Sequence, residues 1–488
     1  MGGRGAHLAC RGARRRRRAR KRVGRARGRA RGWSVGGRGR GPRGGGRGHG
    51  LARPHHPAHR DRRCGRPGAR IPPARRAGGV AVPGAPVTVA FKTLGCKVNR
   101  VESEAIAAEL LGCGVTLADH DAASVVVINT CTVTGEADAK ARKAVRQALA
   151  AQSEPVVVVT GCLAMLDAEG ISALGERVVV EADKAEVAAR VAALLGTNAP
   201  SPGEPVLVRG EGFRTRAPLK IQDGCDAFCA YCIVPHARGV PRSVPLERIE
   251  ATARALVVSG TPEIVLTGIN LGRYSDGSAD LAAVVEAVAA SGIARVRLSS
   301  IEPMDLTERL LGVLASTPAV CEHLHVPLQS GSDAVLEAMG RGYTIARFEE
   351  RIAAARAALP GLAITTDVIA GLPGETPADA QATLEACERI GFAKLHVFRY
   401  SERAGTPAAE MPGSVPKPER AARAEALRTL GERLAAAHAA AHFGHEVEVL
   451  VERVEDGRAR GTTRDYLTVE FDAEPDTRVG ALVRVVAP

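Results

Sequence analysis

The chain has 488 residues, 45% of them hydrophobic, which is enough for roughly two to four domains with ordinary cores. No apolar run is long enough to span a membrane, and no apolar segment follows the basic N-terminus as a secretory signal requires. The net charge of +14 suggests nucleic-acid binding, but residues 1–80 carry +25 and the remainder carries −11. Whole-chain charge therefore does not identify the partner of the folded part.

The first 86 residues differ in composition from the rest of the chain. They are rich in Arg, Gly and Pro, with runs such as "RRRRRARKR" and "GRGRGPRGGGRGHG", and offer few apolar residues for a core. We predict a disordered extension over 1–86, and two interpretations stay open: a nucleic-acid-binding arm, or sequence that is not part of the natural protein. We favour the second, because the first motif begins near Val87 and a Val codon near Val80 to Val87 would serve as the start.

Residues 87–198 are predicted to form an N-terminal domain with a parallel sheet. Short β-branched runs, "VTVAF", "SVVVIN", "PVVVVT" and "RVVVEA", alternate with Ala-rich helical segments. Each of the first three runs leads into a cysteine, at Cys96, Cys131 and Cys162. Because the carboxyl ends of parallel strands lie on one edge of a sheet, we expect these thiols to converge on a shared metal or cluster site. Buried core cysteines are the alternative interpretation.

Cysteine usage also indicates the compartment. The chain has 11 cysteines and no secretory signal, which favours a reducing, cytoplasmic environment. In that environment thiols that bind metal or act in catalysis are expected more than disulfides.

A Pro/Gly-rich linker over 196–205 precedes a second strand–helix series, which we assign to residues 211–437. Its strand cores are "LKIQDG", "EIVLTGIN", "RVRLSSIEP", "HLHVPLQSGS", "ITTDVIAGLPGE" and "KLHVFRYSE". Six such units predict an open (βα)6 partial barrel, short of the usual eight. The strands end in polar residues, where the catalytic mouth of a barrel lies: Asp223, Asn270, Ser299, Ser300, Glu302, Gln329, Ser330, Asp367 and Arg399.

The chain ends in a long helix and a group of short strands. An Ala/Arg-rich helix is predicted over 415–442. Residues 438–488 form the last predicted domain, in which "HEVEVLVERVED", "GRARGTTRDYLTVEFD" and "GALVRVVAP" alternate and are separated by turns. This pattern predicts a small antiparallel β-barrel.

The stretch "IQDGCDAFCAYCIVPHARG", residues 221–239, contains three cysteines directly after the first barrel strand. A structural zinc site needs four ligands, and Cys225, Cys229 and Cys232 have no fourth cysteine nearby. His236 is an alternative fourth ligand, although its Pro-containing loop suits a substrate path better. A 4Fe–4S cluster has four irons, so three cysteines leave one iron free for a substrate or cofactor.

The Cys-x3-Cys-x2-Cys motif after the first barrel strand resembles the radical S-adenosylmethionine superfamily. In addition, "TLGCKVNRVESE", "VVINTCTVT", "VVTGCLA", "KIQDGCDAFCAYCIVPHARG", "HVPLQSGSDAVLEAMGRGYT" and "TDVIAGLPGET" are similar to the motif series of methylthiotransferases, in the same order. The final residues, including "GTTRDYLTVEF", resemble the TRAM module, a small RNA-binding β-barrel. Together the resemblance covers about residues 87–488.

The resemblance implies two 4Fe–4S clusters and S-adenosylmethionine as cofactors. The auxiliary cluster carries over to Cys96, Cys131 and Cys162, and the cluster that binds S-adenosylmethionine carries over to Cys225, Cys229 and Cys232. The implied reaction places a methylthio group on C2 of adenosine-37, next to the tRNA anticodon. One S-adenosylmethionine supplies the methyl group, and a second yields the radical that removes the C2 hydrogen. The implied partners are the tRNA anticodon stem-loop, an electron donor and a sulfur source.

Substrates within this family divide three ways: isopentenyladenosine in tRNA, threonylcarbamoyladenosine in tRNA, and an aspartate of a ribosomal protein. "TLGCKVN" and "KIQDGC" with "YCIVPHARG" most resemble the threonylcarbamoyladenosine branch. The other two substrates stay as alternatives. A non-enzymatic RNA-binding protein with structural metal is a more remote one.

Four residues are candidates for holding S-adenosylmethionine. Tyr231, between two cysteines of the motif, is placed to stack near the adenine, with a packed aromatic as the alternative. Asn270, Gln329 and Asp367 are candidates for the cofactor's polar groups, although each could instead cap a helix or satisfy a turn.

Four further residues are candidates for RNA contact. Arg238 and Arg242 follow the cysteine motif, and a guanidinium pairs well with phosphate or with a carboxylate on the nucleoside. Arg464 and Tyr466 suit RNA by charge and by stacking. Solvated surface arginines and an exposed strand face are the alternatives.

Overall fold

In the computed structural model, the described residues are 87–198 and 215–488. The predicted extension over 1–86 and most of the predicted linker lie outside them. Among the described helices, none combines the length and hydrophobicity that crossing a bilayer requires.

The N-terminal domain is a five-stranded sheet with helices on both faces. Its strands are β1 (Thr88–Thr93), β2 (Thr116–Leu117), β3 (Val125–Thr130), β4 (Val156–Gly161) and β5 (Val178–Val180). Its helices are α1 (Lys97–Gly112), α2 (Gly135–Leu149), α3 (Cys162–Leu166), α4 (Ala168–Ser172) and α5 (Val187–Leu195). The β-branched residues of β3 are buried on both faces, against α2 on one side and against α1 and α5 on the other.

The strand order of this sheet is β2-β1-β3-β4-β5, and all neighbours are parallel. The order reverses between β1 and β3, and ligands of open α/β sheets bind at such a switch point, beyond the carboxyl ends of the strands. Cys96 and Cys131 follow β1 and β3, and Cys162 follows β4. The fold therefore brings these three cysteines to one edge of the sheet.

The central domain has six parallel strands and one short antiparallel pair. In chain order its strands are β6 (Arg216–Lys220), β7 (Gln222–Asp223), β8 (Arg242–Ser243), β9 (Glu263–Thr267), β10 (Arg295–Leu298), β11 (His323–His325), β12 (Ala363–Ala370) and β13 (Lys394–Arg399). β6, β9 and β10 form one parallel sheet, β11, β12 and β13 form another, and β7 pairs with β8. Isolated parallel bridges, such as Ser300 to His325, join the two sheets. The mixed α/β class with parallel sheets is thereby confirmed.

Helices connect these strands and cover their outer side. They are α6 (Val234–Arg238), α7 (Leu246–Val258), α8 (Leu281–Ala290), α9 (Glu308–Ser316), α10 (Asp333–Ala338), α11 (Ile345–Ala358), α12 (Pro377–Ile390) and α13 (Pro407–Glu410), with single 3-10 turns at Leu271–Arg273 and Pro303–Asp305. Their apolar residues and those of the strands form one continuous core. Local sequence sets the boundaries of α12: Thr376 and Asp379 form a capping box, and Gly391 ends the helix with φ +68°.

The C-terminal part consists of a long helix and an antiparallel sheet. The helix α14 (Lys417–Ala440) packs on β13. It is followed by β14 (Glu446–Glu455), β15 (Arg458–Thr463), β16 (Thr468–Asp472) and β17 (Leu482–Val486), in the order β16-β15-β14-β17. The antiparallel pairing agrees with the alternating pattern of the sequence.

Two buried arginines of β10 attach this sheet to the central domain. Arg295 is 0% exposed and donates to the carbonyl oxygens of Glu448 and Thr462, at 2.8 and 3.1 Å. Arg297 is 1% exposed and donates to the carbonyl oxygens of Thr463 and Arg464, at 3.1 and 2.8 Å. Two carboxylates balance their charge: the buried Glu263 of β9 lies 2.7 Å from Arg297, and Glu448 of β14 lies 2.8 Å from Arg295. The ends of β14 and β15 are thus held by side chains of the central domain.

Candidate active site between the two cysteine sets

The first cysteine set, Cys96, Cys131 and Cys162, lies in turns that bring the backbone close to the thiols. Gly95 has φ +99°, and a Cβ at this position would lie 2.8 Å from the Cys131 sulfur, so only glycine fits there. Cys131 and Cys162 are buried, whereas Cys96 is exposed. Burial raises the pKa of the Cys131 thiol, and the neighbouring Cys162 and Cys96 raise this pKa further. The three thiols are close enough to affect one another electrostatically.

The second set, Cys225, Cys229 and Cys232, lies in the loop after β7. Burial raises the pKa of the Cys232 thiol to about 12, and the thiols of Cys229 and Cys225 add to the rise. Two nitrogen donors point at the sulfurs: Arg341 Nη1 lies 3.4 Å from Cys229 Sγ, and Asn270 Nδ2 lies 3.9 Å from Cys225 Sγ. Such donors favour the thiolate form that metal ligation requires.

Neither cysteine set is shaped for a single metal ion. Among the described residues, neither set brings three ligand atoms within 4.8 Å of one another, as a site for one ion would. His236 is exposed, and its ring contacts the Phe228 ring at 5.9 Å. Three thiols held farther apart match the donor set of an iron–sulfur cluster, which distributes its ligands over several irons.

A cavity of about 150 Å³ lies between the two sets. Val133 and Thr134, which follow Cys131, line one side. Tyr231 and Cys232 of the second set line the other. The cavity is therefore adjacent to both groups of cysteines.

Three of the four predicted cofactor residues line this cavity: Tyr231, Gln329 and Asp367. Gln329 has φ +69°, an unusual backbone conformation for a residue other than glycine, and its backbone hydrogen bonds to Asp367 and Ile369 hold it there. Asn270 lies instead beside Cys225.

Several polar atoms near the cavity are available for a ligand. Asn270 Oδ1 and Ser299 Oγ, at strand ends of the central domain, and the Tyr400 hydroxyl, whose residue lines the cavity, are buried. None of the three has a hydrogen-bond partner within the described parts of the chain. Since buried polar groups are normally paired, these atoms fit a site that binds a polar cofactor.

A buried ionic cluster fixes one contact between the N-terminal and central domains. Arg238 is 4% exposed, and its guanidinium lies 2.9 Å from Glu102 of α1, 2.8 Å from Asp223 and 2.6 Å from Asn99 Oδ1. Lys220 contacts both Glu102 and Asp223, and Lys184 also contacts Glu102. The predicted contact of Arg238 with tRNA therefore needs correction: its donors are used inside the protein, where phosphate has no access.

This cluster determines the ionisation of its acids. Burial alone would raise the pKa of Glu102, but Arg238 and Lys184 outweigh it and lower that pKa to about 2. Burial likewise opposes ionisation of Asp223, yet Arg238 and Lys220 hold its pKa well below the usual range. Both carboxylates are charged at neutral pH, so the domain contact is ionic.

A second contact between the N-terminal and central domains lies at the start of α2. Arg403 contacts Asp138 at 2.8 Å and donates to the Thr132 hydroxyl at 2.6 Å, next to Cys131. Ser401 Oγ accepts from the Gly135 backbone at 3.0 Å. The two contacts together hold the cysteine edge of the N-terminal sheet against the mouth of the central domain.

The cavity leads into a wider groove of about 720 Å³. The two share Thr134, Phe398, Arg399, Tyr400 and Ser401 as lining residues. Four cations, Arg399, Lys417, Arg420 and Arg428, and two anions, Glu136 and Glu402, line the groove. Arg399 forms an ion pair with Glu136 at 2.9 Å, and Arg428 forms one with Glu425 at 2.8 Å. Phe398 is 44% exposed, which is unusual for a large aromatic side chain.

The other predicted RNA residues have different surroundings. Arg242 is exposed, with 64% of its side chain accessible. Arg464 instead forms an ion pair with Glu322 at 2.7 Å and donates to the Val320 carbonyl, so it connects the C-terminal sheet to the central domain. Arg464 thus has a structural role, and its contact with RNA stays a prediction.

Tyr466 is packed within the protein but still faces a pocket. Its ring stacks on His323 at 4.4 Å, and the Arg297 guanidinium lies 5.1 Å from the ring centre. It lines a pocket of about 140 Å³ together with Cys96, Lys97 and Arg100. This pocket has several cations beside the first cysteine set.

Sequence reasoning missed the roles of Arg341 and Glu102. Arg341 contacts Cys229 and also pairs with Glu302, and Glu102 carries the ionic cluster. Both residues lie within the motif series that resembles methylthiotransferases, in the stretches "AMGRGYT" and "NRVESE". For Arg341 the available signal was a single charged residue in an otherwise uncharged stretch, whereas the polar stretch around Glu102 offered no signal that distinguishes it.

Comparison with known proteins gives two family matches. The model described as the Radical SAM superfamily matches residues 219–387, and that of the Uncharacterized protein family UPF0004 matches residues 88–181. The matches coincide with the central and N-terminal domains. Each contains one of the two cysteine sets.

Curated relatives match most of the chain. The Threonylcarbamoyladenosine tRNA methylthiotransferase MtaB of Bacillus subtilis is 37% identical over 82% of this chain and 93% of its own length. The protein of the same name from Thermotoga maritima is 37% identical over 79% and 91%. The tRNA-2-methylthio-N(6)-dimethylallyladenosine synthase of Cereibacter sphaeroides is 35% identical over 81% and 94%.

The fold also resembles a solved structure. The radical S-adenosylmethionine methyltransferase TsrM from Kitasatospora setae aligns with a TM-score of 0.51 at 14% identity, covering 67% of this chain and 77% of that one. At this identity the likeness concerns the fold alone.

Proposed function

Since the chain belongs to the family of radical S-adenosylmethionine tRNA methylthiotransferases, we propose that it converts N6-threonylcarbamoyladenosine-37 of tRNA into its 2-methylthio derivative. The C2–H bond of the adenine is replaced by a C2–S bond that carries a methyl group. The observation that carries the proposal is the cavity lined by Cys232 of the second set and by Val133 and Thr134, which follow Cys131 of the first set. A reaction that joins a sulfur atom to a carbon radical needs both centres to reach one substrate atom.

Two 4Fe–4S clusters fit the cysteines of this chain. Cys96, Cys131 and Cys162 would hold the auxiliary cluster, and Cys225, Cys229 and Cys232 would hold the cluster that binds S-adenosylmethionine. When bound, these groups supply the sulfur attachment site and the radical chemistry that an unactivated C–H bond requires. The protein contributes the thiolate ligands, the position of the two sets and the exclusion of water.

The central domain supplies the proposed binding groups for S-adenosylmethionine. Asn270 Oδ1 and the Tyr400 hydroxyl are buried without partners within the described residues, which suits contact with a polar cofactor. Tyr231, Gln329 and Asp367 line the cavity where such a cofactor would meet the substrate. Arg341 would stabilise the Cys229 thiolate, with its own position fixed by Glu302.

The groove fits the substrate class. An adenosine unstacked from a tRNA loop is commonly held on an aromatic face, and the exposed Phe398 stands where the groove enters the cavity. The threonylcarbamoyl group ends in a carboxylate, whereas an isopentenyl group is apolar. Arg399 and Lys417 in the groove favour the carboxylate-bearing substrate.

We assign the C-terminal antiparallel sheet to the TRAM module. Arg242, exposed near the cysteine loop, and the cations around Tyr466 are the proposed contacts for the anticodon stem-loop. An electron donor and a sulfur source complete the reaction. Both would be separate partners.

Mass spectrometry of tRNA nucleosides tests the proposal. A strain lacking this gene should lose 2-methylthio-threonylcarbamoyladenosine and accumulate the unthiolated precursor, and the gene should restore the product. Loss of 2-methylthio-isopentenyladenosine instead would assign the other tRNA branch. Unchanged tRNA in the deletion strain would refute the function and direct attention to the ribosomal protein aspartate.

Iron analysis separates the enzyme from a non-enzymatic metalloprotein. Anaerobic reconstitution should give about eight irons per chain for two 4Fe–4S clusters. One or two tightly held zincs without sulfide would contradict the cluster assignment.

A further inference from the structure

Three potential metal ligands meet where the long helix α14 reaches the C-terminal sheet. His438 lies in the last turn of α14, His442 lies just beyond its end, and Asp465 lies in the turn between β15 and β16. Both imidazole Nε2 atoms are close to Asp465 Oδ2, at 3.1 Å for His438 and 2.7 Å for His442. The ligand atoms of the three residues lie within 4.8 Å of one another. None of these residues belongs to the cysteine sets.

The hydrogen bond of His442 Nδ1 determines that the other ring nitrogen, Nε2, presents a lone pair to Asp465. His442 Nδ1 lies 2.9 Å from the His438 carbonyl oxygen. A carbonyl oxygen can only accept, so Nδ1 carries the hydrogen, and in the neutral ring Nε2 presents a lone pair. This lone pair and the Asp465 carboxylate are 2.7 Å apart. Two electron-rich atoms at that distance need a proton or a metal cation between them.

The directions of the groups favour convergence on a third point. Asp465 Oδ2 and His438 Nε2 are both buried, and neither satisfies the geometry of a hydrogen bond with any described residue, although they are 3.1 Å apart. Groups that form a hydrogen bond point at each other, whereas ligands of one ion point at a common centre.

We propose that His438, His442 and Asp465 form a binding site for a divalent transition metal of the zinc class. Two imidazoles and one carboxylate are a common zinc ligand set, with the remaining position open to water. Ligand distances of about 2.0–2.2 Å place neighbouring ligands roughly 3.3 Å apart in a tetrahedron. The His438–Asp465 pair, at 3.1 Å, would need to open by about 0.2 Å, and the His442–Asp465 pair, at 2.7 Å, by about 0.6 Å.

The surrounding contacts match those of known metal ligands. A metal-bound histidine usually donates its other ring N–H to a carbonyl or carboxylate, as His442 does to the His438 carbonyl. The second oxygen of Asp465 accepts from the Thr463 hydroxyl, which fixes the carboxylate. Two of the three ligands, His442 and Asp465, are thus held in place before any ion binds.

The site would join two parts of the chain that are distant in sequence. Asp465 directly precedes Tyr466, which stacks on His323 of the central domain. An ion at this point would fix the turn carrying Tyr466 to the end of α14. The role is structural and independent of the catalytic proposal.

Zinc content of the enzyme with both clusters assembled tests the site. The holoenzyme is equilibrated anaerobically with Zn²⁺ in a weakly chelating buffer, separated from free metal, and analysed for zinc and iron. The wild type should retain about one more zinc per chain than His442→Ala, with equal iron in both. His445→Ala is the matched control, because His445 lies nearby but is exposed and outside the ligand group, and it should retain as much zinc as the wild type.

The wild type alone can refute the proposal, whatever the stability of the variants. If the holoenzyme takes up no zinc, the proposal is wrong. The Asp465 carboxylate is then paired with a protonated histidine and with no metal ion. Zinc uptake that is equal in the wild type, His442→Ala and Asp465→Asn would place the ion elsewhere and also overturn the assignment. Co²⁺ gives an independent readout: a nitrogen and oxygen site lacks the sulfur charge-transfer absorption that binding to cysteine would produce.

Discussion

Replacement of Arg238 by methionine should weaken the contact between the N-terminal domain and the central domain. Methionine preserves much of the buried volume but removes the charge and the donors that reach Glu102, Asp223 and Asn99. Glu102 and Asp223 would keep Lys220 as a partner, so the ionic cluster would be weakened without being abolished.

The expected magnitude follows from burial. Removing one partner of a buried ion pair costs about 3–5 kcal/mol, and the remaining lysines favour the lower end of that range. One kcal/mol lowers the melting temperature of a 150–250-residue domain by about 2–4 °C. A loss of about 3 kcal/mol should therefore lower the melting temperature by about 6 °C or more.

Thermal unfolding followed by circular dichroism measures the effect, with all variants heated at one scan rate. Arg242→Met is the matched control, because Arg242 lies four residues after Arg238, is 64% exposed and lies 4.0 Å from Asp223. A surface pair of this kind contributes less than about 1 kcal/mol. Equal melting temperatures for Arg238→Met and Arg242→Met would refute the reasoning that the buried cluster holds the domains together.

Three further predictions concern the site. Cys131→Ala should lower the iron content of the reconstituted protein from about eight to about four per chain and abolish thiolation, while cleavage of S-adenosylmethionine continues; unchanged iron would exclude Cys131 as a ligand. The Glu102 carboxylate, with its pKa lowered to about 2 from the ordinary 4.5, should stabilise the fold fully above pH 4.5 and progressively less as pH falls towards 2. Between pH 4.5 and pH 2 the free energy of unfolding of Glu102→Gln should therefore fall by about 3 kcal/mol less than that of the wild type, as measured by denaturation at a series of pH values. An equal fall in the two proteins would contradict this. Arg399→Ala should raise KM for threonylcarbamoyladenosine tRNA about tenfold, as loss of one charge-assisted hydrogen bond implies, and an equal rise with isopentenyladenosine tRNA would argue against carboxylate recognition.

The strands that carry the cysteines were predictable because their signals are local. The valine-rich runs of β3 and β4 are buried on nearly every position, so hydrophobicity alone located them. By contrast, β2 consists of two exposed residues, Thr116–Leu117, whose pairing with β1 leaves no hydrophobic pattern in the sequence. It was not predicted.

The barrel strands were predicted in the right order, but the first was misplaced. Its predicted core, "LKIQDG", runs past the end of β6 at Lys220. Gln222 and Asp223 pair instead with Ser243 and Arg242 across the cysteine loop. The partners are about twenty residues away, so the local pattern does not reveal where one strand ends and the next begins.

Arg238 shows the limit of sequence reasoning about charge. Arg238 at the end of α6 and Arg242 at the start of β8 lie four positions apart, yet Arg238 is buried and Arg242 is exposed. The partner of Arg238, Glu102, is 136 residues away in another domain. Burial of a guanidinium depends on such distant partners, which a single sequence does not identify.

The arginines beneath the C-terminal sheet have a consequence for recombination between related enzymes. Arg295 and Arg297 donate to four backbone carbonyls of the sheet. The sheet contributes the acceptors, and the central domain contributes the donors. A C-terminal module transplanted onto a barrel with apolar residues at these positions would bury carbonyl groups that no side chain could satisfy. Chimeras that join the C-terminal module to such a barrel near residue 440 should therefore fold only when the donor of the sheet also supplies β10, so the unit of exchange is then larger than the module that its sequence motif suggests.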